Sequence, residues 1–195
     1  MSIELKPFSW QRMIEAVEAV RERALRATTA LKAAEIPYAV AGGNAVAAWV
    51  ARVDRAAVRN TRDVDILIRR TDFDRVKVVL ESVGFFHQEL MGVDCFIDGA
   101  DGSHRDAVHI LYAGEKVRAE YIVPSADVTE IERADDYDIV NLLGLLTMKL
   151  NAFRDKDRMH IRDMISVGLL DATWLEKLPL QHADRLQQLL DDPEG

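Results

Sequence analysis

Four apolar residues, Tyr38-Ala39-Val40-Ala41, run directly into Gly42-Gly43, and this junction constrains the chain more than any other. Pro37 ends what precedes it, and the apolar run is a short strand. Two successive glycines give the backbone a turn that other residues resist and let it approach a ligand closely. Asn44 then opens a helical segment through Trp49 and Val50. A helix begun at such a turn points free N–H groups and its positive end at one spot, which suits an anionic group such as a phosphate. Alone, a Gly-Gly pair is most often only a tight turn.

The next informative stretch is Asp63-Val64-Asp65, where Val64, Ile66 and Ile68 alternate with Asp63, Asp65 and Leu67. Alternation is strand spacing, so both carboxylates leave one face, roughly 6–7 Å apart along the chain. Two carboxylates beside a phosphate cradle suit a hard cation, since Mg²⁺ commonly takes one or two carboxylates plus phosphate oxygens and waters. An isolated Asp-x-Asp is usually two solvated side chains. Here the strand is otherwise apolar, both acids stand at its start, and Arg59 and Arg62 precede them. Between residues 52 and 77, eight basic residues face five acidic ones, a local net of +3 in a chain of −8.

That overall charge argues against a protein that coats nucleic acid or lies on an anionic membrane, while leaving room for a small cationic cleft. At 195 residues, 49% hydrophobic and 30% charged, the chain has the balance of one soluble domain with a real core. Cys95, the single cysteine, cannot form an internal disulfide, which fits a reducing cytoplasm. The first residues lack the pattern of a signal peptide, and no run approaches ~20 apolar residues, so no membrane partner is expected.

Periodicity predicts an amphipathic helix over 9–34, a helix capped by Thr71 and closed near Gly84, and strands at Phe85–Leu90, Val93–Ile97 and Ala107–Tyr112. Asp98-Gly99 and Asp101-Gly102 mark turns, and 113–140 reads as loop with short extended pieces. From Asn141 onward the chain turns helical: Leu142–Phe153, about Met159–Gly168, then two short helices begun by Asp171. The expected class is α+β: a mixed sheet flanked by helices over 1–140, with a helical region over 141–195 packed on it as one unit.

The glycine turn followed by Asp-x-Asp on the next strand resembles the nucleotidyltransferase superfamily with the polymerase-β-type fold, and most closely its AbiEii-like and minimal bacterial members. The resemblance implies that the Gly42-Gly43 turn, with Asn44 and Arg62 beside it, holds a nucleoside triphosphate. It implies that Asp63 and Asp65 bind one or two Mg²⁺ ions for an in-line attack on the α-phosphorus, with pyrophosphate leaving. The family usually supplies a third carboxylate from a later strand. In Asp106-Ala107-Val108-His109-Ile110-Leu111-Tyr112 that position holds His109, and Asp106 falls on the opposite face of a regular strand. His109 is then a base, a metal ligand or a packed strand histidine, with Asp94 or Asp98 as alternative acids.

A second basic segment, 149–162, carries five Lys/Arg against Asp155 and Asp157. Lys149 ends an otherwise apolar helix run, where a charge must snorkel out or meet an anion. By the resemblance, Lys149 matches a triphosphate-binding lysine and Asp163 an active-site aspartate; read without it, the segment is a solvated helix–turn–helix. The implied function is Mg²⁺-dependent transfer of a nucleoside monophosphate from an NTP to a hydroxyl acceptor: a tRNA end, a protein or a small molecule such as an aminoglycoside. The alternative is a binding module of the same fold without turnover, a nucleotide sensor or a toxin–antitoxin partner, with oligomerisation open.

Overall fold

The computed structural model describes residues 7–134 and 136–193. Helix α1 (Trp10–Ala33) leads into β1 (Tyr38–Ala41), and α2 (Gly42–Ala51) follows with no intervening loop. Next come β2 (Val64–Ile68), α3 (Phe73–Ser82), the hairpin β3 (Phe85–Leu90) and β4 (Val93–Asp98), and β5 (Ala107–Tyr112). Two short strands, β6 (Ile131–Arg133) and β7 (Asp138–Val140), precede α4 (Leu142–Ala152), α5 (Asp155–Ser166) and α6 (Leu180–Asp191).

The seven strands form one mixed sheet in the order β3-β4-β5-β2-β1-β7-β6. At its centre β2 pairs antiparallel with β1, placing Ala41 opposite Asp65, and parallel with β5, placing Asp65 opposite His109. Strand β4 runs antiparallel to β5, with Cys95 opposite His109. The central strands are apolar because they are covered: Ala39, Val40, Ile66, Leu67 and Ile68 are fully buried. One continuous core joins them to Ala24, Ala27 and Leu31 of α1, Val76 and Leu80 of α3, and Val46 and Val50 of α2. The same core takes in Leu145, Leu146 and Leu150 of α4, Ile161 and Met164 of α5, and Leu186 and Leu189 of α6. This is the α+β arrangement that the sequence predicts, a mixed sheet flanked by helices with a helical C-terminal part.

The boundaries differ in instructive places. Helix α2 begins at Gly42, not at Asn44, because Gly42 adopts φ +64° and turns the chain within one residue. Thr71 lies inside a short 3-10 turn (Arg70–Asp72), and α3 starts at Phe73 without a side-chain cap. Asn141 does cap α4, its side chain accepting from the Gly144 N–H at 2.8 Å. Helix α5 starts at Asp155, four residues earlier than its apolar pattern, since Asp157 accepts from the backbone N–H of Arg154 at 3.3 Å. Among the described residues no helix is long and apolar enough to cross a membrane.

Candidate functional site

The centre of the site is set by the β1–α2 junction. A Cβ built on Gly42 would lie 1.8 Å from Asp65 Oδ2, so only glycine leaves room for that carboxylate. A Cβ on Gly43 would lie 2.9 Å from Cβ of Thr61, in the segment that leads into β2. The two glycines thus let the chain before β2 close against the start of α2. Asn44 fixes the same closure, its Nδ2 donating to the Asp63 carbonyl at 2.8 Å.

Asp63, Asp65 and His109 converge here. Each offers a ligand atom, and these atoms all lie within 4.8 Å of one another. His109 Nδ1 is 3.8 Å from Asp65 Oδ1, because parallel β2 and β5 set the two residues side by side on one face. Two ligands each ~2.1 Å from one ion lie at most about 4.2 Å apart; the His109–Asp65 pair is already inside that limit, and side-chain movement of about half an ångström brings the whole group within reach of one divalent cation. The two carboxyls are tuned in opposite senses. Burial raises the Asp65 carboxyl above its ordinary range and the Asp63 charge adds to this, against Lys149, His109 and Lys156. Burial pulls Asp63 the same way, but the hydroxyl of Thr61, donating at 2.6 Å, and the nearby Lys156 outweigh it and hold Asp63 below its ordinary value.

A cationic wall from α4 and α5 faces these acids. Lys149 is 6% exposed and its Nζ donates to Asp157 Oδ1 at 3.2 Å; Asp157, 1% exposed, also accepts from Nε of Arg154 at 2.7 Å. Lys156 Nζ stands 3.9 Å from Asp63 Oδ2. His160 also lines the cleft, and burial first, then the Lys149 charge, lower its pKa to about 4, so the ring is neutral. With the glycine turn these groups line a cleft of about 810 Å³, whose other walls include Leu90, Met91 and Val93 of the β3–β4 hairpin.

Of the residues marked in the sequence, Gly42, Gly43, Asp63, Asp65, His109 and Lys149 line this cleft. Asn44 stands behind it as the Asp63 tether. Arg62 and Asp163 are not in the lining. Arg62 pairs with Asp106 at the head of β5, at 3.0 Å, and Asp163 accepts two hydrogen bonds from Arg59, at 2.9 and 3.1 Å. Asp94 and Asp98, the alternative acids, are engaged elsewhere: Asp94 with His87 and the Tyr112 hydroxyl, Asp98 with Arg23 and Arg26. Thr61, Arg154, Lys156, Asp157 and His160 are given no role of their own by the sequence reading. Apart from Thr61, all fall inside the +3 segment at 149–162, which was their only signal.

No family model matches the chain, and no curated protein matches it by sequence. Solved structures do. A nucleotidyltransferase-like antigenic protein from Paracoccidioides brasiliensis is similar with a TM-score of 0.56 at 15% identity, over 92% of this chain and 91% of that one. The antibiotic-resistance factor ANT(2″)-Ia is similar at 0.51 and 13%, over 93% and 92%. JHP933 from Helicobacter pylori is similar at 0.51 and 17%, over 96% and 78%. These likenesses give the chain the fold of the nucleotidyltransferases.

Proposed function

We propose that this chain is a metal-dependent nucleotidyltransferase that moves a nucleoside monophosphate from an NTP to an acceptor hydroxyl. The observation that carries this reading is the convergence of Asp63, Asp65 and His109 within 4.8 Å, on the floor of a cleft that the Gly42-Gly43 turn opens into. A divalent ion such as Mg²⁺, held by Asp63 and Asp65 with His109 beside them, would neutralise triphosphate charge at the reacting phosphorus. The chain's own groups do the rest. The free N–H groups at the start of α2 and the positive end of that helix receive the phosphates. Lys156 adds positive charge at the same spot, and Lys149, locked to Asp157, adds more from the wall behind. The acceptor oxygen attacks the α-phosphorus, the bond to the bridging oxygen breaks, and pyrophosphate leaves. The hydroxyl proton leaves to solvent water in the cleft.

The cleft also bears on the acceptor. Its lining carries Arg59, Arg118, Lys149, Arg154 and Lys156 against Asp63, Asp65 and Asp157. These cations are matched to the triphosphate, so the acceptor is recognised by the rest of the cleft, and a nucleic-acid end, a protein hydroxyl and a small molecule are all candidates. The position of Lys149 in the cleft wall supports the AbiEii-like group within the superfamily. The test is incubation with labelled NTPs, Mg²⁺ or Mn²⁺, and bulk tRNA or cell lysate. Label transfer lost in Asp63→Asn and Asp65→Asn supports the reading; no product, or variants equal to wild type, sinks it.

A second reading is favoured by one observation, an imidazole where the fold's third carboxylate is expected. On that reading the chain binds nucleotide without turning it over. Calorimetry separates the two: cation-dependent NTP binding with no pyrophosphate released marks the binder.

A further inference from the structure

The three groups that converge on the cleft floor are not three oxygens. Two are carboxylates and the third is an imidazole nitrogen, His109 Nδ1, 3.8 Å from Asp65 Oδ1. Mg²⁺ is a hard ion that takes oxygen ligands and keeps several waters. Imidazole nitrogen suits the first-row transition ions, whose affinity for mixed N/O sites rises from Mn²⁺ toward the later ions of the row. We propose that His109 makes this a transition-ion site, selecting Mn²⁺ or a later divalent ion over Mg²⁺. The inference rests on the reading above only for the location of the cation, not for the reaction.

Three features of the fold support a ligand role for His109 in place of a packing role. Its ring is a quarter exposed, in the cleft lining, and not sealed in the core. Its backbone is held on both sides, paired with Asp65 of β2 and Cys95 of β4, so the ring is presented from a rigid central strand. The acids it meets are themselves held: Asp63 by the Thr61 hydroxyl, and Asp65 in the space left by the missing Gly42 side chain. Cys95 does not join the group, since its thiol donates toward the Gln88 carbonyl at 3.4 Å and lies 3.8 Å from His104 Nδ1.

The test is pulsed EPR of the purified full-length protein loaded with one equivalent of Mn²⁺, together with calorimetric competition between Mn²⁺ and Mg²⁺. The expected result is ¹⁴N modulation from a directly bonded imidazole in the wild type. It is lost in His109→Asp, whose preference for Mn²⁺ over Mg²⁺ falls about 10-fold or more. Absence of ¹⁴N modulation in the wild type overturns the proposal. So does a preference unchanged in His109→Asp, or nucleotidyl transfer with Mg²⁺ by a chain that binds no Mn²⁺. Modulation present without transfer under any cation upholds the ion site and removes the transferase reading.

Discussion

The Asp65 carboxylate occupies the space that a side chain on residue 42 would need, with a Cβ there falling 1.8 Å from Oδ2. Gly42→Ala is therefore expected to do two things. Holding a non-glycine residue at φ +64° costs about 1–3 kcal/mol. Displacing Asp65 also lowers cation affinity. Urea denaturation and Mn²⁺ binding measure the two effects separately. Unchanged Mn²⁺ affinity in a destabilised variant would show that the glycine does not position the carboxylate.

Lys149 and Asp157 form a buried ion pair, and the two ends are not equivalent. Asp157→Asn leaves a buried ammonium without its counter-charge and is expected to cost about 3–5 kcal/mol. Lys149→Met should cost less, since Arg154 still balances Asp157 at 2.7 Å. Chemical denaturation of both variants checks this ordering.

His160 gives the protein a pH dependence of known sign. The folded state holds the ring neutral, with a pKa of about 4 against an ordinary value of 6.5. Below 6.5 the unfolded chain takes up a proton that the folded one refuses, so stability falls as pH drops from 6.5 towards 4. The full effect is about 3 kcal/mol. His160→Gln should reduce that slope, leaving the contributions of His182, which burial also lowers, and of the shifted carboxyls. Urea midpoints between pH 4 and 7 measure it.

Arg59 and Asp163 separate a positioning role from a catalytic one. Asp163 grips Arg59 through two hydrogen bonds and does not itself line the cleft, whereas Arg59 does. Asp163→Asn is expected to raise KM for NTP several-fold while leaving kcat near wild type, and Arg59→Gln should give the same pattern. A collapse of kcat in Asp163→Asn alone would place Asp163 among the reacting groups. The pair itself is half-exposed on the arginine side and should contribute only about 0.2–1 kcal/mol in a double-mutant cycle.

The sheet and its glycine turn were legible because each strand carries a local signature. Tyr38–Ala41, Phe85–Leu90 and Ala107–Tyr112 stand where alternation and turn residues put them. The pair β6 and β7 was not, because three-residue strands such as Ile131-Glu132-Arg133 are too short to show a period. Register explains the rest. The family resemblance implies an acid where His109 stands, but only the parallel pairing of β2 with β5 brings its Nδ1 to 3.8 Å from Asp65. Lys149 could be seen as a charge in an apolar helix, while its partner Asp157 lies on the next helix, beyond any local pattern. Thr61 gave no signal at all, since its role depends on the backbone folding back against Gly43.

The parallel pairing of β2 with β5 has a further consequence, during synthesis. A nascent chain that has released Asp63 and Asp65 still lacks the imidazole beside them, and cannot gain it until α3, the β3–β4 hairpin and β5 have emerged and docked. Until then the two aspartates are ordinary solvated carboxylates. On the proposed ion site, tight binding would thus report that the centre of the sheet has closed, and by mass action it would favour chains that have reached that point.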